Sequence, residues 1–376
     1  MLLVDKQRPK SLSEMDYHKN ISQNLIKMAT SGEIPHILFY GPSGAGKKTR
    51  VLALLREMFG NGVEKLRMEK REFKTPSQRS VEITTVASNY HIEVNPSDVG
   101  IYDYVVVQEI IKEIAQYKQL DANAKHPFKG RTVPPASHVV VVLDEVDNLS
   151  RNAQAGLRRT MEKYTGSCRL ILCCENSGRI IAPIRSRCLC IRIGAPTLLE
   201  VTTILKNNCQ REGLPVVPEQ LQRIAMASHR NLRRALLYLE ASTMAAGGGA
   251  KGNEVELMDW ERYLQVVVRN ILEEQSPQAL LAIRGKYYEL LARLIPAQVI
   301  LKELVKQLVA QCGTLKGVEG SVRRLQMETV CWGATYEQKM RQGGKEIVFL
   351  EAFTARFMSL YKQALMKRCY VCWRDQ

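Results

Sequence analysis

The sequence predicts an α/β domain with a parallel sheet, followed by a second half that is almost entirely helical. Three short apolar runs, at residues 34–40, 138–143 and 169–174, have the length of buried parallel strands. Segments with helical spacing of apolar residues alternate with these runs, which is typical of a parallel sheet covered by helices. After residue 196 the apolar spacing is helical, so we expect helical domains there.

The composition indicates a chain that folds into more than one domain. It has 376 residues, of which 45% are hydrophobic and 24% charged, and single cores seldom grow beyond about 250–300 residues. A formal charge of +16 attracts polyanions, and nucleic acid is the partner it favours, although basic faces also serve acidic proteins or membranes. No apolar run has the length of a membrane span and no signal peptide begins the chain, so we expect an intracellular protein with no membrane partner.

The cysteines predict neither disulfides nor a metal site. Most of the 10 lie inside apolar runs, where reduced thiols behave as small hydrophobic groups. Cys369 and Cys372 form a single CxxC pair, and no second pair follows at the spacing of a zinc site.

Breaks in the apolar pattern predict the domain boundaries. Residues 119–137 are polar and proline-containing, which indicates a surface loop, and a glycine-rich tract at 245–252 suits a linker. We therefore expect an α/β domain at 1–195, a small helical domain at 196–245, a linker at 246–254 and a larger helical domain at 255–376. The last domain has apolar residues spaced to form one helix face: Leu350, Phe353, Phe357, Leu360, Tyr361 and Leu365.

Residues 41–49 nearly match the phosphate-binding pattern G-x-x-x-x-G-K-[ST]. Glycines let the backbone N–H groups approach phosphate, and the following helix presents its positive end to the anion. A glycine turn before a helix is the alternative, but the strand before it and the helix after it favour a site for ATP or ADP. The expected nucleotide contacts are Gly41, Pro42, Ser43, Gly44, Ala45, Gly46, Lys47, Lys48 and Thr49.

One residue of this loop departs from the pattern. Lys48 stands where a Ser or Thr hydroxyl would bind Mg²⁺, and the hydroxyl of Thr49 comes one residue late. An ammonium repels a cation but can hold phosphate, so the change leaves nucleotide binding more intact than hydrolysis. Mg²⁺ is therefore a possible cofactor whose hydroxyl ligand position is a lysine.

An acidic pair follows the second apolar run. Asp144 suits the organisation of Mg²⁺ and its water, and Glu145 suits the polarisation of an attacking water. Two acidic residues after a strand also commonly begin a helix, but their combination with the phosphate loop favours the catalytic interpretation.

With these motifs the chain resembles the small subunits of eukaryotic replication factor C, which are clamp loaders of the AAA+ family. The resemblance covers residues 4–361, and the Lys47-Lys48-Thr49 triplet and the Asn89-Tyr90-His91 run indicate one particular subunit type. The other segments that carry it are residues 5–9, 87–98, 144–147 and 184–188.

The resemblance implies a fold and an assembly. It implies an AAA+ α/β domain with a small helical lid and an all-helical collar that joins five subunits. The implied partners are the other subunits of the heteropentamer, the sliding clamp (proliferating cell nuclear antigen) and primer–template DNA, in the replication and repair of DNA in the nucleus.

The resemblance also assigns residue roles. Val4, Arg8 and Pro9 match an N-terminal element that lies against the nucleotide. Arg187 matches an arginine finger that reaches the nucleotide of the neighbouring subunit, and Arg233 matches a second sensor, with Arg234 as its rival.

Two further implied features concern the first sensor and one helix. The position that usually holds the first-sensor asparagine is Glu175, so Asn176 is the expected nucleotide contact. A helix at residues 151–164 would carry Arg151, Arg158 and Arg159 toward DNA or a neighbouring subunit, although a charged helix face is often only solvated.

Two functions remain open from the sequence. The first is a clamp-loader subunit with a weak or inactive site of its own that donates Arg187 in trans. The second is an autonomous P-loop ATPase, such as a helicase-like or remodelling motor. Lys48 and the helical last third favour the first.

Overall fold

The computed structural model contains two compact units, Met1–Glu256 and Leu257–Gln376. The predicted loop at 119–137 and most of the predicted linker lie outside the residues that the structure describes. Those residues are 2–31, 34–74, 80–117, 139–166, 168–214, 217–247, 258–313 and 319–374.

The first unit is built on a seven-stranded sheet in the order β2-β3-β4-β5-β6-β1-β7. The strands are β1 (Ile37–Tyr40), β2 (Arg67–Lys74), β3 (Ser80–Ala87), β4 (His91–Val94), β5 (Val139–Leu143), β6 (Cys168–Cys174) and β7 (Leu189–Arg192). From β4 to β7 all neighbours are parallel, as the buried apolar runs predicted. The antiparallel pairs β2–β3 and β3–β4 were not predicted.

Nine helices of the described residues belong to this unit. They are α1 (Leu3–Lys6), α2 (Lys19–Ser31), α3 (Lys47–Phe59), α4 (Asp103–Tyr117), α5 (Arg151–Lys163), α6 (Ala182–Arg185), α7 (Leu198–Glu212), α8 (Pro218–Ala227) and α9 (Leu232–Gly247). Because alanine favours helix, α9 continues to Gly247, and the predicted linker therefore begins inside this helix.

Local signals explain where the helices near the site begin. Ser150 caps α5 by accepting a bond from the amide of Ala153, and Thr197 and Glu200 form a capping box at the start of α7. The central strand β5 is almost entirely apolar, and its side chains Val140 to Leu143 are buried on both faces of the sheet.

The second unit is helical and has its own core. Its helices are α10 (Asp259–Glu273), α11 (Pro277–Ala292), α12 (Ala297–Gly313), α13 (Glu319–Gln342) and α14 (Glu346–Arg374). Tyr287 is fully buried, and its hydroxyl lies 2.8 Å from that of Thr354. Most of the predicted apolar face of α14 is buried, but Leu365 is 37% exposed. No described helix has the length and apolar character needed to cross a membrane.

Candidate functional site

Three of the predicted motifs meet at one edge of the sheet. Tyr40 pairs with Cys174, and Leu172 pairs with Leu143, so β1, β5 and β6 end side by side. The phosphate loop follows β1, the acidic pair follows β5 and Glu175 follows β6. Ligands of parallel α/β sheets bind at the carboxyl ends of the strands, and this edge is therefore the candidate site.

The loop at residues 41–49 has a backbone that only glycine permits. Gly44 and Gly46 have positive φ angles of 70° and 75°. A Cβ at Gly44 would lie 1.8 Å from Asn231 Oδ1. The amide of Leu232, at the start of α9, donates to the Gly44 carbonyl at 3.2 Å. The loop and the first turn of α9 are therefore packed too closely for any side chain between them.

Lys47 folds over the loop. Its Nζ donates to the carbonyl of Gly41 at 2.8 Å and to that of Pro42 at 3.0 Å. The ammonium thus lies above the same backbone segment that would cradle phosphate, at the N-terminus of α3, where the helix dipole also favours an anion. The hydroxyl of Thr49 is turned elsewhere, because it accepts a bond of 3.2 Å from Arg8 Nε.

Lys48 forms an ion cluster with two carboxylates. Its Nζ lies 3.0 Å from Asp144 Oδ2 and also contacts the carboxylate of Glu93 on β4. Glu93 was not predicted as a site residue, although a glutamate in a mostly buried strand is unusual and could have drawn attention. The two carboxylates are ligands that suit Mg²⁺, but the ammonium already lies against both, and this donor set does not fit the metal. Among the described residues, no group of three His, Cys, Asp or Glu residues forms a metal site.

Glu145 is held away from Asp144 by its backbone. Its φ angle of 51° is left-handed, which is uncommon for a residue other than glycine. Glu145 Oε2 accepts bonds from Ser97 Oγ at 3.2 Å and from Asn148 Nδ2 at 3.1 Å. Neither partner was predicted: the Ser97 contact depends on how the loops after β4 and β5 meet, whereas Asn148 lies only three residues from Glu145.

The charge of Arg233 acts on Arg8. The pKa of Arg8 is lowered, chiefly by burial. The charge of Asp5 opposes this shift, the charge of Arg233 adds to it, and that of Asp144 opposes it. The Arg8 guanidinium therefore interacts electrostatically with Arg233 and Asp144. Arg234 instead donates to the hydroxyl of Tyr238 on its own helix, at 2.7 Å from Nε.

The N-terminal segment connects the loop to the helices after the sheet. The amide of Leu3 donates to Glu240 on α9 at 3.1 Å, and Lys6 Nζ lies 2.5 Å from Glu212 on α7. Val4 and Pro9 are partly buried in this segment. Together with the bond from Arg8 to Thr49, these contacts join α7, α9 and the phosphate loop through one short stretch of chain.

The residues after β6 have separate roles. Glu175 is exposed, whereas Asn176 caps a short 3-10 turn, because its Oδ1 accepts a bond of 2.8 Å from the amide of Gly178. The side-chain carbonyl of Asn176 is thus engaged, and the side chain can offer only the NH₂ group to an anion.

Arg187 lies at the opposite end of the sheet from the phosphate loop. It precedes β7, whose first residue Leu189 pairs with Ile37, the first residue of β1, whereas the loop follows the last residue of β1. Arg187 Nη2 lies 2.5 Å from Glu162 Oε1, and Nη1 donates to the carbonyl of Pro183 at 2.8 Å. Its guanidinium is therefore anchored to the end of α5.

Helix α5 carries the three other predicted arginines on its exposed face. Arg158 Nε lies 3.4 Å from the same Glu162 oxygen that holds Arg187. Arg151 and Arg159 are exposed, and Arg159 forms no ion pair among the described residues. The helix thus presents cations on one side while Leu157 and Met161 pack into the core on the other.

Three family profiles match the chain. Residues 17–197 match the profile described as DNA polymerase III, delta subunit, and residues 203–244 match that of the RCF1/5-like AAA+ ATPase lid domain. Residues 260–365 match the profile described as replication factor C subunit 3, C-terminal domain.

Full-length relatives are also similar. Human replication factor C subunit 3 is 46% identical over 363 residues, which is 96% of each chain. Replication factor C subunit 5 of Neurospora crassa is 46% identical over 365 residues, 97% of this chain and 98% of the relative. Among solved structures, the RuvB Holliday junction branch migration motor of Thermotoga maritima has a TM-score of 0.46 at 17% identity, over 83% of this chain and 93% of that one.

Proposed function

The chain belongs to the family of replication factor C subunits, and from this premise we propose that it acts as a nucleotide-binding subunit of a clamp loader. The predicted fold, an AAA+ α/β domain with a helical lid and a helical C-terminal domain, is confirmed. The predicted subunit type is also confirmed, because the human and fungal relatives carry the numbers three and five that this type has in humans and in yeast.

The nucleotide is ATP or ADP, held at the carboxyl edge of the sheet. The loop of residues 41–49 offers its backbone N–H groups, and the cations of Lys47, Arg8 and Arg233 surround the place of the phosphates. Asn176 contributes an NH₂ donor. Val4 and Pro9 belong to the N-terminal segment that closes over this edge.

Arg187 acts on the nucleotide of a neighbouring subunit. Arg187 is separated from the phosphate loop of its own chain by the length of β1, which is about 13 Å for a strand of four residues. A guanidinium stays charged and forks over phosphate oxygens, so it suits stabilisation of the charge that builds up when the terminal phosphate is transferred. This placement of Arg187 is the observation that carries the proposal.

The site of this chain itself is weak or inactive in hydrolysis. Lys48 already pairs with Asp144, and Glu145 is bonded to Ser97 and Asn148. An autonomous ATPase would need the first carboxylate for its metal and the second for its water.

The partners follow from the family and from charge. They are the other subunits of the heteropentamer, the sliding clamp (proliferating cell nuclear antigen) and primer–template DNA in the nucleus. The cations of α5, namely Arg151, Arg158 and Arg159, contact the DNA backbone or a neighbouring subunit, consistent with the overall charge of +16.

Two substitutions in the reconstituted complex test the proposal. We expect Arg187→Ala to remove the hydrolysis contributed by one neighbouring site, where such a finger is worth about 10³-fold or more in rate. We expect Lys47→Ala to abolish nucleotide binding by this chain and to leave most of the hydrolysis. Steady-state phosphate release with clamp and DNA, together with nucleotide binding to each purified variant, provides both measurements.

Arg185→Ala is the matched control, because Arg185 is an exposed arginine two residues away on α6. It should leave hydrolysis unchanged. If Arg187→Ala behaves like this control, the proposed action in trans is wrong. If the isolated chain hydrolyses ATP briskly, the alternative of an autonomous ATPase is favoured instead.

A further inference from the structure

We propose that the ammonium of Lys48 takes the place of the divalent cation in this site, so that ADP or ATP binds here without Mg²⁺. The proposal rests on the nucleotide-binding function proposed above. It specifies which cation lies beside the bound nucleotide. It would make this site one that holds a nucleotide as a structural ligand.

The Lys48 ammonium lies against two carboxylates. Lys48 is the second residue of α3 and belongs to the last part of the phosphate loop, and its Nζ contacts Asp144 at 3.0 Å and Glu93. These carboxylates come from the neighbouring parallel strands β4 and β5 or from the residue just after them. The ammonium therefore lies where the two carboxylates converge, beside the loop that cradles phosphate.

The two carboxylates are more deeply buried than the Lys48 side chain. The side chains of Glu93 and Asp144 are 10% and 19% exposed, whereas that of Lys48 is 49% exposed. The ammonium thus covers the carboxylates on their solvent side. A divalent cation arriving from solvent would have to displace this ammonium and would be repelled by it until it did so.

The hydroxyl of Thr49 does not replace the one that is missing at Lys48. Thr49, one residue late in the motif, accepts its bond from Arg8 at 3.2 Å. Mg²⁺ requires near-octahedral oxygen ligands at about 2.0–2.1 Å. A site that offers it an ammonium in place of a hydroxyl lacks both the ligand and the space.

The Lys48 ammonium can bind both carboxylates and a phosphate oxygen at the same time. A lysine ammonium has three N–H donors. Two of them are directed at Asp144 and Glu93, which leaves one for a phosphate oxygen. Together with Lys47 and the N-terminus of α3, Lys48 therefore supplies the positive charge that Mg²⁺ supplies in related sites.

Binding of ADP to the purified full-length chain, with Mg²⁺ in excess or with EDTA, tests the proposal. We expect the Kd of the unmodified protein to differ by less than about threefold between the two conditions. Lys48→Thr restores the hydroxyl, and we expect its Kd for ADP to rise at least about tenfold in EDTA. Lys48→Arg keeps the charge and should remain independent of Mg²⁺.

Mn²⁺ supplies a readout that does not depend on affinity for nucleotide. In the presence of saturating ADP, electron paramagnetic resonance should detect bound Mn²⁺ for Lys48→Thr beyond the amount that free ADP binds, and none for the unmodified protein. Thermal unfolding of each variant verifies that it is folded. The unmodified protein alone still decides the matter if a variant does not fold.

Two results would overturn the proposal: binding of ADP to the unmodified protein that weakens tenfold or more in EDTA, or Mn²⁺ bound in its complex with ADP. Either would leave the nucleotide-binding function standing. Failure of the unmodified protein to bind ADP in both conditions, or unchanged binding by Lys47→Ala, would instead remove the proposed function and this inference together.

Discussion

His91 shows how a single buried residue makes the first unit sensitive to acid. The side chain is fully buried, and burial lowers its pKa to about 4. Nδ1 lies 2.6 Å from Ser88 Oγ, and Nε2 has no hydrogen-bonding partner among the described residues. The folded protein therefore holds this imidazole neutral where the unfolded chain would protonate it.

We expect this difference to reduce stability between the two pKa values. Since the unfolded histidine has a pKa near 6.5, the unfolded state binds more protons between about pH 6.5 and 4, and the free energy of unfolding falls by up to about 3 kcal/mol as the pH falls through that window. Above this pH window, the neutral His91 no longer reduces the free energy of unfolding. Urea unfolding of the first unit across pH 4 to 8 measures the slope.

A substitution separates the contribution of His91 to the pH dependence of stability from that of the carboxylates. His91→Asn should flatten the difference in stability between pH 4 and 7, whereas His229→Asn should not, because His229 is exposed and its φ of 50° tolerates asparagine. Equal slopes for the unmodified protein and His91→Asn would contradict the assignment.

The ion cluster of Lys48 illustrates what sequence reasoning missed at the residue scale. The departure from the phosphate-loop motif was visible, but the second carboxylate, Glu93, was not. Which side chain meets Lys48 depends on the order of strands in the sheet, where β4 and β5 are neighbours, and no local pattern encodes that order.

At the scale of elements, helix α5 couples an exposed basic face to the arginine that we propose acts in trans. Glu162 accepts contacts from Arg158 at 3.4 Å and from Arg187 at 2.5 Å. A ligand that binds the basic face at Arg158 would therefore act on the same glutamate that holds Arg187.

Arg159 provides the test of the basic face. We expect Arg159→Ala in the assembled complex to weaken binding of primer–template DNA uniformly across sequences, and to reduce the slope of log K against log salt by about 1, because phosphate contacts release counterions. Fluorescence anisotropy over a range of salt concentrations measures this. Arg211→Ala, an exposed arginine on α7, should leave the slope unchanged. A slope that Arg159→Ala does not alter would indicate a helix face that is only solvated.

The strand hairpin at the sheet edge is an element that the sequence did not predict. β2 pairs with β3 over eight residues, from Arg67–Ala87 to Lys74–Ser80. β2 contains mostly charged residues, which suits an edge strand. The same composition is typical of a solvated segment, so a search for buried apolar runs does not find this strand.

At the scale of the whole molecule, the two units have separate hydrophobic cores. Leu172 belongs to a core of the first unit and Phe353 to that of the second. All three tryptophans, Trp260, Trp332 and Trp373, lie in the second unit, so their fluorescence reports on that unit alone.

We therefore expect the two cores to respond to different substitutions. Phe353→Ala should cost about 3–5 kcal/mol and lower the urea midpoint measured by tryptophan fluorescence. Leu172→Ala, which should cost about 2–5 kcal/mol, should lower the stability measured by circular dichroism and leave the fluorescence midpoint in place. A fluorescence midpoint that moves equally with both would mean that the chain unfolds as one cooperative unit.

The parallel strands, the phosphate-loop and acidic motifs and the family could be predicted from the amino-acid sequence, because each is marked by short runs of residues that are close together along the chain. The folded structure was needed to learn that Lys48 pairs with Glu93 and Asp144, and that Arg187 lies at the opposite end of β1 from the loop. Apolar spacing and motif spacing are local properties, whereas these contacts join segments that only the order of the strands brings together.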